Sequence, residues 1–561
     1  MFDYGSGVDV RHSLLTPHSS LIKMNTYHLT NTQQDIEKAA AILRDGGLVA
    51  MPTETVYGLA ADALNGEAVR RIFEAKGRPM DNPLIVHVAD FSDIERLQLV
   101  AEIPKKAIKL AEAFWPGPLT IIMKKGSVIP DEVSAGLDTV AIRIPSHPDA
   151  HRLMEVSGLA LAAPSANTSG KPSPTTAQHV IDDIDGKIEA VLDGGACSVG
   201  VESTVITLVA DTPRILRPGI ITREEIEAVI GPVDVDKAVL NQLESNEKAS
   251  SPGMKYKHYA PKARVVLLRG EDEKYISFIN RKYARDNSIA AMCYDEDKPQ
   301  INAPCITIGS MDDEKAQAQA LFDALRAVDE IGGVKTVYAH CPAVTGVGMA
   351  LYNRLIRAAA FEIIDLPTKR IIGLTGQTGA GKSEVARLLK ESGLPVVSAD
   401  EAARKAVEGS EVKAMLCATF GDVLKEDGSL DRRLLAQLAF SSPGRTSVLN
   451  AITHPAIARI MFDEAEQLDG DTVVFDASQL FESGEDAFCD RIIGILADPE
   501  LRLDRITRRD GITCEEAQRR MSAQYHEEFF ITFCDDILYN NGSAEELYTS
   551  VKELYERLVS G

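Results

Sequence analysis

Residues 376–383 read Gly376-Gln377-Thr378-Gly379-Ala380-Gly381-Lys382-Ser383, a complete phosphate-binding loop two-thirds of the way along a 561-residue chain. The apolar run Ile371-Ile372-Gly373-Leu374 leads in as a buried strand, and residues 383–390 lead out as a helix with Val385, Leu388 and Leu389 on one face. In that setting the loop N–H groups and the helix N-terminus hold phosphates, Lys382 reaches the outer phosphates, and Ser383 binds Mg²⁺. A nucleotide-binding domain with a parallel sheet therefore closes the chain, and something else precedes it.

At 45% hydrophobic residues over 561 positions, three or four domains are expected, because single cores seldom grow past about 250–300 residues. No stretch approaches the length of a membrane span. The first 23 residues lack a signal-peptide core, so export is not expected; residues 1–24 read as an N-terminal extension, with Met1 and Met24 both open as the start. The eight cysteines, at 197, 293, 305, 341, 417, 489, 514 and 534, form no C-x-x-C pair, which fits a reducing cytosol. His340 and Cys341 are adjacent at the end of a strand-like run, so their side chains face opposite ways and do not read as a metal pair. A net charge of −23 disfavours stable nucleic-acid binding and requires nucleotide sites to gather their cations locally.

The expected fold class is α/β multidomain. Ile36, Ala39, Ala40 and Leu43 make a helical stripe over 31–45, Gly46-Gly47 ends it, and 48–51 reads as a strand. Strand-turn-helix alternation continues to residue 232, giving a first domain over 25–232. Residues 233–262 are polar and irregular and read as a linker. Residues 263–367 form a small α/β unit with strands at 264–268, 288–293 and 336–340 and a helix over 313–330, and residues 368–561 carry the phosphate-loop domain.

Between Pro52 and Arg217 basic and small polar residues recur at turns beside apolar strands. The pieces are Pro52-Thr53-Glu54-Thr55-Val56-Tyr57-Gly58, Lys76-Gly77-Arg78-Pro79, Asn82-Pro83-Leu84-Ile85-Val86-His87, Arg143-Ile144-Pro145, Pro164-Ser165-Ala166-Asn167, Glu202-Ser203-Thr204 and Leu216-Arg217-Pro218-Gly219. Four cations gathered in one cleft would suit a triphosphate.

In this order the pieces resemble the threonylcarbamoyl-AMP synthase family, with its YrdC-like fold, over residues 30–230. The stretch Ser251-Pro252-Gly253-Met254-Lys255-Tyr256-Lys257-His258-Tyr259-Ala260-Pro261 and the run Asn353-Arg354-Leu355-Ile356-Arg357-Ala358-Ala359 resemble the family's long form, which adds a small Rossmann-like domain. The resemblance implies that ATP, L-threonine and bicarbonate give L-threonylcarbamoyl-AMP and pyrophosphate, the donor that a tRNA-modification transferase uses at the adenosine beside the anticodon. It implies that Lys76, Arg78, Asn82, Thr139, Ser165, Asn167, Ser173 and Arg217 hold ATP, with Tyr256 and Tyr259 closing over it. Thr55, His87, Arg143, Ala163 and Ser203 would hold threonine with Tyr57 close by, and Arg143 would act at the reacting centre.

Further along come Val397-Ser398-Ala399-Asp400, Asp431-Arg432, His454-Pro455, Phe475-Asp476, Leu480-Phe481-Glu482, Arg508-Arg509-Asp510 and a helix from Thr513 with a capping box to Glu516 and Gln524 beyond it. Together with the loop they resemble dephospho-CoA kinase over 370–561. That resemblance implies transfer of the ATP γ-phosphate to the ribose 3′-hydroxyl of dephospho-CoA, with Mg²⁺ accompanying ATP. Residues 376–383 would hold ATP, Lys382, Asp400 and Arg508 would carry the chemistry, and Asp400, Arg432, His454 and Gln524 would meet the acceptor. The chain departs from the family pattern at Ser398, usually aspartate, at Ser478-Gln479, usually Pro-Leu, and at Glu384, usually threonine. These departures keep open a diverged kinase for another nucleoside-like acceptor. An RNA-binding front half with a nucleotide-sensing back half is the reading from another class, and the basic stripes with interleaved aromatics that would favour it are not found.

Overall fold

Thr32 ends an extended segment and accepts a hydrogen bond from Asp35 N at 3.3 Å, which starts the helix Gln33–Arg44. Ile36, Ala39, Ala40 and Leu43 lie on its buried face, as their spacing predicts. The computed structural model describes residues 25–241 and 259–560. The chain divides into two units, Met1–Tyr259 with Ala318–Asp323 and Val344–Asn353, and Ala260–Gln317 with Ala324–Ala343 and Arg354–Gly561.

The first unit is built on a mixed sheet of 11 strands. Strands Ile85–His87 and Thr139–Arg143 pair in parallel with His87 opposite Arg143, so their carboxyl ends present both side chains at one level. Strand Leu119–Lys124 pairs with Thr204–Thr207, and Arg214–Arg217 runs antiparallel beside it, which brings Ser203 and Arg217 together. The expected linker is shorter than its composition predicts. Asp234–Val235 adds an edge strand against Arg214–Ile215, and Lys237–Val239 forms a 3₁₀ turn, because Ala238 and Val239 have apolar surface to bury. Residues 242–258, including Tyr256, and residues 1–24 lie outside the described residues.

The second unit holds two parallel five-stranded sheets. The smaller is ordered Cys305–Thr307, Ile289–Cys293, Thr336–His340, Arg264–Arg269 and Ile363–Asp365; three of these strands lie within a residue of their sequence reading, while Cys305–Thr307 and Ile363–Asp365 have no counterpart in it. The larger is ordered Val396–Ser398, Thr472–Asp476, Arg370–Gly376, Arg491–Leu496 and Asp536–Tyr539. Its central strand feeds the phosphate loop and the helix Lys382–Glu391, placing the loop at the carboxyl edge of the sheet, where such folds bind ligands. Gly379 (φ +80°) and Gly381 (φ +98°) both require glycine: an added Cβ would lie 2.8 Å from Arg502 O and 2.3 Å from Asn540 Nδ2, respectively.

Candidate active sites

The first site is a cavity at the carboxyl ends of the paired strands, lined by Thr55, Arg78, His87, Arg143, Ala163, Ser165, Asn167, Glu202, Ser203, Arg217 and Tyr259. Arg143 Nη2 lies 2.8 Å from Glu54 Oε1, with the two side chains 4% and 7% exposed, and Glu54 Oε2 accepts from Ser146 N at 3.1 Å. Arg217 donates from Nε to Ser203 O at 3.1 Å and from Nη2 to Ser203 Oγ at 3.2 Å, while Ser203 Oγ is 2.8 Å from Thr120 Oγ1. These pairs hold two guanidinium groups in fixed orientations on one wall.

Burial and the neighbouring Arg143 hold the His87 imidazole down at about 3, so it is neutral at physiological pH. Burial also lowers the Arg78 guanidinium to about 10. Arg78 Nη2, Asn82 Oδ1 and His87 Nδ1 are buried without a hydrogen-bond partner among the described residues. Buried polar atoms are seldom left so, and here two of them belong to residues that line the cavity.

Five expected residues do not line it. Lys76 Nζ is consumed by Ser165 O and, at 2.6 Å, by Asn167 O, so it fixes the 165–167 turn; burial lowers its pKa well below the usual range. Tyr57 is fully buried and donates from its hydroxyl to Gly195 O at 2.7 Å. Ser173 Oγ donates to Glu202 Oε1 at 2.6 Å. Thr139 starts the strand that ends at Arg143, about 13 Å away at the rise of a strand. Asn82 is buried near the turn but outside the lining. Glu202 was missed by sequence reasoning, although it stands in the quoted Glu202-Ser203-Thr204 piece.

The second site is a cavity of about 590 Å³ around the phosphate loop, lined by Gly376 to Gly379, Gly381 to Glu384, Asp400, Ser478, Arg505, Arg509 and Gln524. Ala380 is fully buried in the core instead. Lys382 Nζ is ion-paired with Asp476 Oδ1, which strand register places level with Leu374 and Ser398. A second cavity of about 290 Å³ adjoins it, lined by Asp400, Ala403, His454, Ile457, Met461, Ser478, Gln479, Ser483 and Glu485 among others. Asp400 and Ser478 belong to both.

The departures find physical accounts here. Ser398 Oγ accepts from Glu401 N at 3.4 Å and caps the helix Ala399–Ala406, a task serine performs as well as aspartate. Glu384 pairs with Arg387 at 2.5 Å, so its charge beside the loop is offset. Gln479 hydrogen-bonds His454, which raises that imidazole against the larger lowering from burial.

Three kinase expectations are redistributed. Arg508 is 79% exposed and pairs with Asp504 at 2.9 Å; one turn of the helix Pro499–Asp510 earlier and one residue later, Arg505 and Arg509 line the cavity instead. Arg432 lies in a separate cavity with Lys413 and Lys425 and pairs with Glu408 at 3.4 Å. Gln524 accepts from Thr378 N at 2.7 Å, which puts it on the loop and not in the smaller cavity. Arg502, which sequence reasoning missed, braces the loop through Nε to Thr378 O at 2.9 Å and Nη1 to Gln377 Oε1 at 2.7 Å; a lone arginine on an amphipathic helix gives no sequence signal of that.

The described residues thus present two cavities, one on a mixed sheet lined with fixed guanidinium groups and one on a phosphate loop. Comparison with known proteins gives the families. Profiles described as "Telomere recombination", "Threonylcarbamoyl-AMP synthase, C-terminal domain" and "Dephospho-CoA kinase" match residues 41–219, 221–360 and 370–546. The chain is 47% identical over 341 residues to the threonylcarbamoyl-AMP synthase of Bacillus subtilis, 60% of this chain and 97% of that protein. It is 40% identical over 194 residues to the dephospho-CoA kinase of Corynebacterium glutamicum, 34% of this chain and 97% of that one. A crystal structure of Pyrococcus abyssi Sua5 complexed with L-threonine is similar at 44% identity with a TM-score of 0.56, covering 61% of this chain and all of that one, 100%. The chain belongs to the threonylcarbamoyl-AMP synthase family through its front part and to the dephospho-CoA kinase family through its end, a bifunctional fusion of two enzymes.

Proposed function

We propose that the first cavity joins L-threonine, bicarbonate and ATP into L-threonylcarbamoyl-AMP and pyrophosphate, and that the phosphate-loop cavity transfers the ATP γ-phosphate to the 3′-hydroxyl of dephospho-CoA. In the first reaction a carbamate oxygen of N-carboxylated threonine bonds to the α-phosphorus as the bond to pyrophosphate breaks. Both reactants are anions, so the work lies in aligning them and stabilising the leaving group. Arg78, Arg143 and Arg217 supply the fixed positive charge, and neutral His87 offers its unpartnered Nδ1 to the amino acid. Lys76 acts by fixing the 165–167 turn and Ser173 by holding the Glu202 carboxylate. The Pyrococcus relative complexed with L-threonine supports threonine as the amino acid.

In the kinase the carrying observation is that Asp400 lines both adjoining cavities. An acceptor hydroxyl in the smaller cavity and a γ-phosphate in the larger one meet at that carboxylate, which takes the hydroxyl proton as the oxygen attacks phosphorus. Lys382, Arg505 and Arg509 hold the phosphates. Ser383 and Asp400 line the larger cavity and are oxygen donors of the kind Mg²⁺ prefers; they would hold the ion, which would neutralise phosphate charge there. No helix among the described residues is long and apolar enough to cross a membrane. The first product would pass to a tRNA-modification transferase in the cytosol.

The test is incubation of the protein with labelled ATP and each acceptor set, with every product identified. Pyrophosphate release that needs both threonine and bicarbonate, and labelled CoA from dephospho-CoA, are expected. Label on another nucleoside-like hydroxyl with none on dephospho-CoA overturns the kinase half.

A further inference from the structure

The helix Asp272–Arg285 of the small α/β domain buries Tyr275, Phe278 and Ile279 in a core cluster that also takes in Ala487 and Phe488 of the kinase. Its other side carries Lys274, Arg281 and Arg285, and each meets an acid of the kinase. Lys274 Nζ is 2.6 Å from Asp490, Arg281 Nη2 is 2.7 Å from Asp535, and Arg285 Nη1 is 2.9 Å from Asp486. Arg285 Nη1 also donates to Phe481 O at 2.6 Å, and its guanidinium lies 5.3 Å from the Phe481 ring centroid. Phe278 packs edge-on against Phe488 at 5.1 Å.

The two kinase residues that Arg285 grips, Phe481 and Asp486, bracket Ser483 and Glu485, which line the smaller cavity together with Asp400 and His454. The segment has little stability of its own. It is one helical turn, Leu480–Ser483, then Gly484 at φ +89°, then a 3₁₀ turn, Glu485–Phe488, far too short to persist without tertiary contacts. It also carries two buried acids, Glu485 and Asp486, each 4% exposed, and a buried carboxylate without a partner is costly.

We propose that Arg285, with Arg281 and Lys274 beside it, is a positioning residue for the acceptor cavity of the kinase, so that the small domain of the synthase part sets one wall of the other enzyme's site. The inference rests on the kinase reading above. Without Arg285, Asp486 is a buried unpaired carboxylate, the 480–488 segment moves toward water, and the acceptor loses its wall while the phosphate loop is untouched.

The test uses the full chain and steady-state kinetics of dephospho-CoA phosphorylation. Arg285→Ala should raise KM for dephospho-CoA by about tenfold or more, as expected when one partner of a desolvated charge pair is removed, with KM for ATP unchanged. Arg285→Lys, which restores the charge, should recover most of the loss. If Arg285→Ala gives no cooperative melt, Arg281→Gln is read by the same split. A folded Arg285→Ala chain with parental KM for dephospho-CoA, or with both KM values raised equally, overturns the inference alone. A parent chain that does not phosphorylate dephospho-CoA overturns the kinase reading and this inference with it.

Discussion

Arg143 and Glu54 form an ion pair at 2.8 Å with both side chains more than nine-tenths buried, and Arg143 lines the cavity of the first unit. Removing one member of such a pair leaves the other charged and unsolvated. Arg143→Ala should therefore both abolish threonine-dependent pyrophosphate release and destabilise the first unit by about 3–5 kcal/mol. Denaturant unfolding alongside the activity assay checks the two together, and full stability with lost activity would mean the pair carries no structural load.

Arg78→Ala is the cleaner probe of catalysis. Its Nη2 has no hydrogen-bond partner among the described residues, and the acid that acts on it, Asp81, is exposed, so its loss leaves no buried carboxylate behind. Synthase activity should fall by about 100-fold or more with the melting temperature unchanged or higher, and CoA formation in the same preparation should persist. A parallel fall of both activities would place the effect on folding.

Lys382→Ala and Asp400→Asn should fail differently. Lys382 belongs to the phosphate cradle and pairs with Asp476, so its removal weakens ATP binding and turnover together. Asp400→Asn should bind ATP nearly normally, by fluorescence titration, and lose most phosphoryl transfer. Parental turnover in Asp400→Asn would remove the carboxylate from the mechanism.

Gln479→Leu restores the apolar residue usual in the family and deletes the hydrogen bond to His454. That bond raises the imidazole pKa while burial lowers it, so His454 should titrate at a lower pH in the variant than in the parent. Its imidazole resonances across a pH series report the change directly.

Burial, assisted by the adjacent Asp486, raises the Glu485 carboxyl to about 7. A carboxyl with a raised folded pKa contributes stability that is fully present below the unfolded value and lost as pH rises through about 7. Glu485→Gln should accordingly melt higher than the parent at pH 8 and alike at pH 4.5. Equal melting temperatures at both would show that Glu485 is solvated.

The sequence by itself determined the local patterns. The Gly376-to-Ser383 loop with its flanking strand and helix, the stripe of Ile36, Ala39, Ala40 and Leu43, and the capping box from Thr513 to Glu516 are short-range arrangements whose periodicity and backbone chemistry are written in neighbouring residues. The ordered pieces from Thr55 to Arg217 likewise pointed to one cleft and one family. Tertiary structure alone decided which side chains face the cavities, because that depends on strand register and on long-range partners. Lys76 is drawn away by the carbonyls of Ser165 and Asn167, 89 and 91 residues on. On the helix Pro499–Asp510, Arg505 and Arg509 face the phosphate loop while Arg508 turns to solvent, a rotational fact invisible in the cluster Arg508-Arg509. The grip of Arg285 on Phe481 and Asp486 crosses 196 and 201 residues. Charge complementarity over that span has no periodic signature, so only the folded chain brings the two enzymes' parts to one wall.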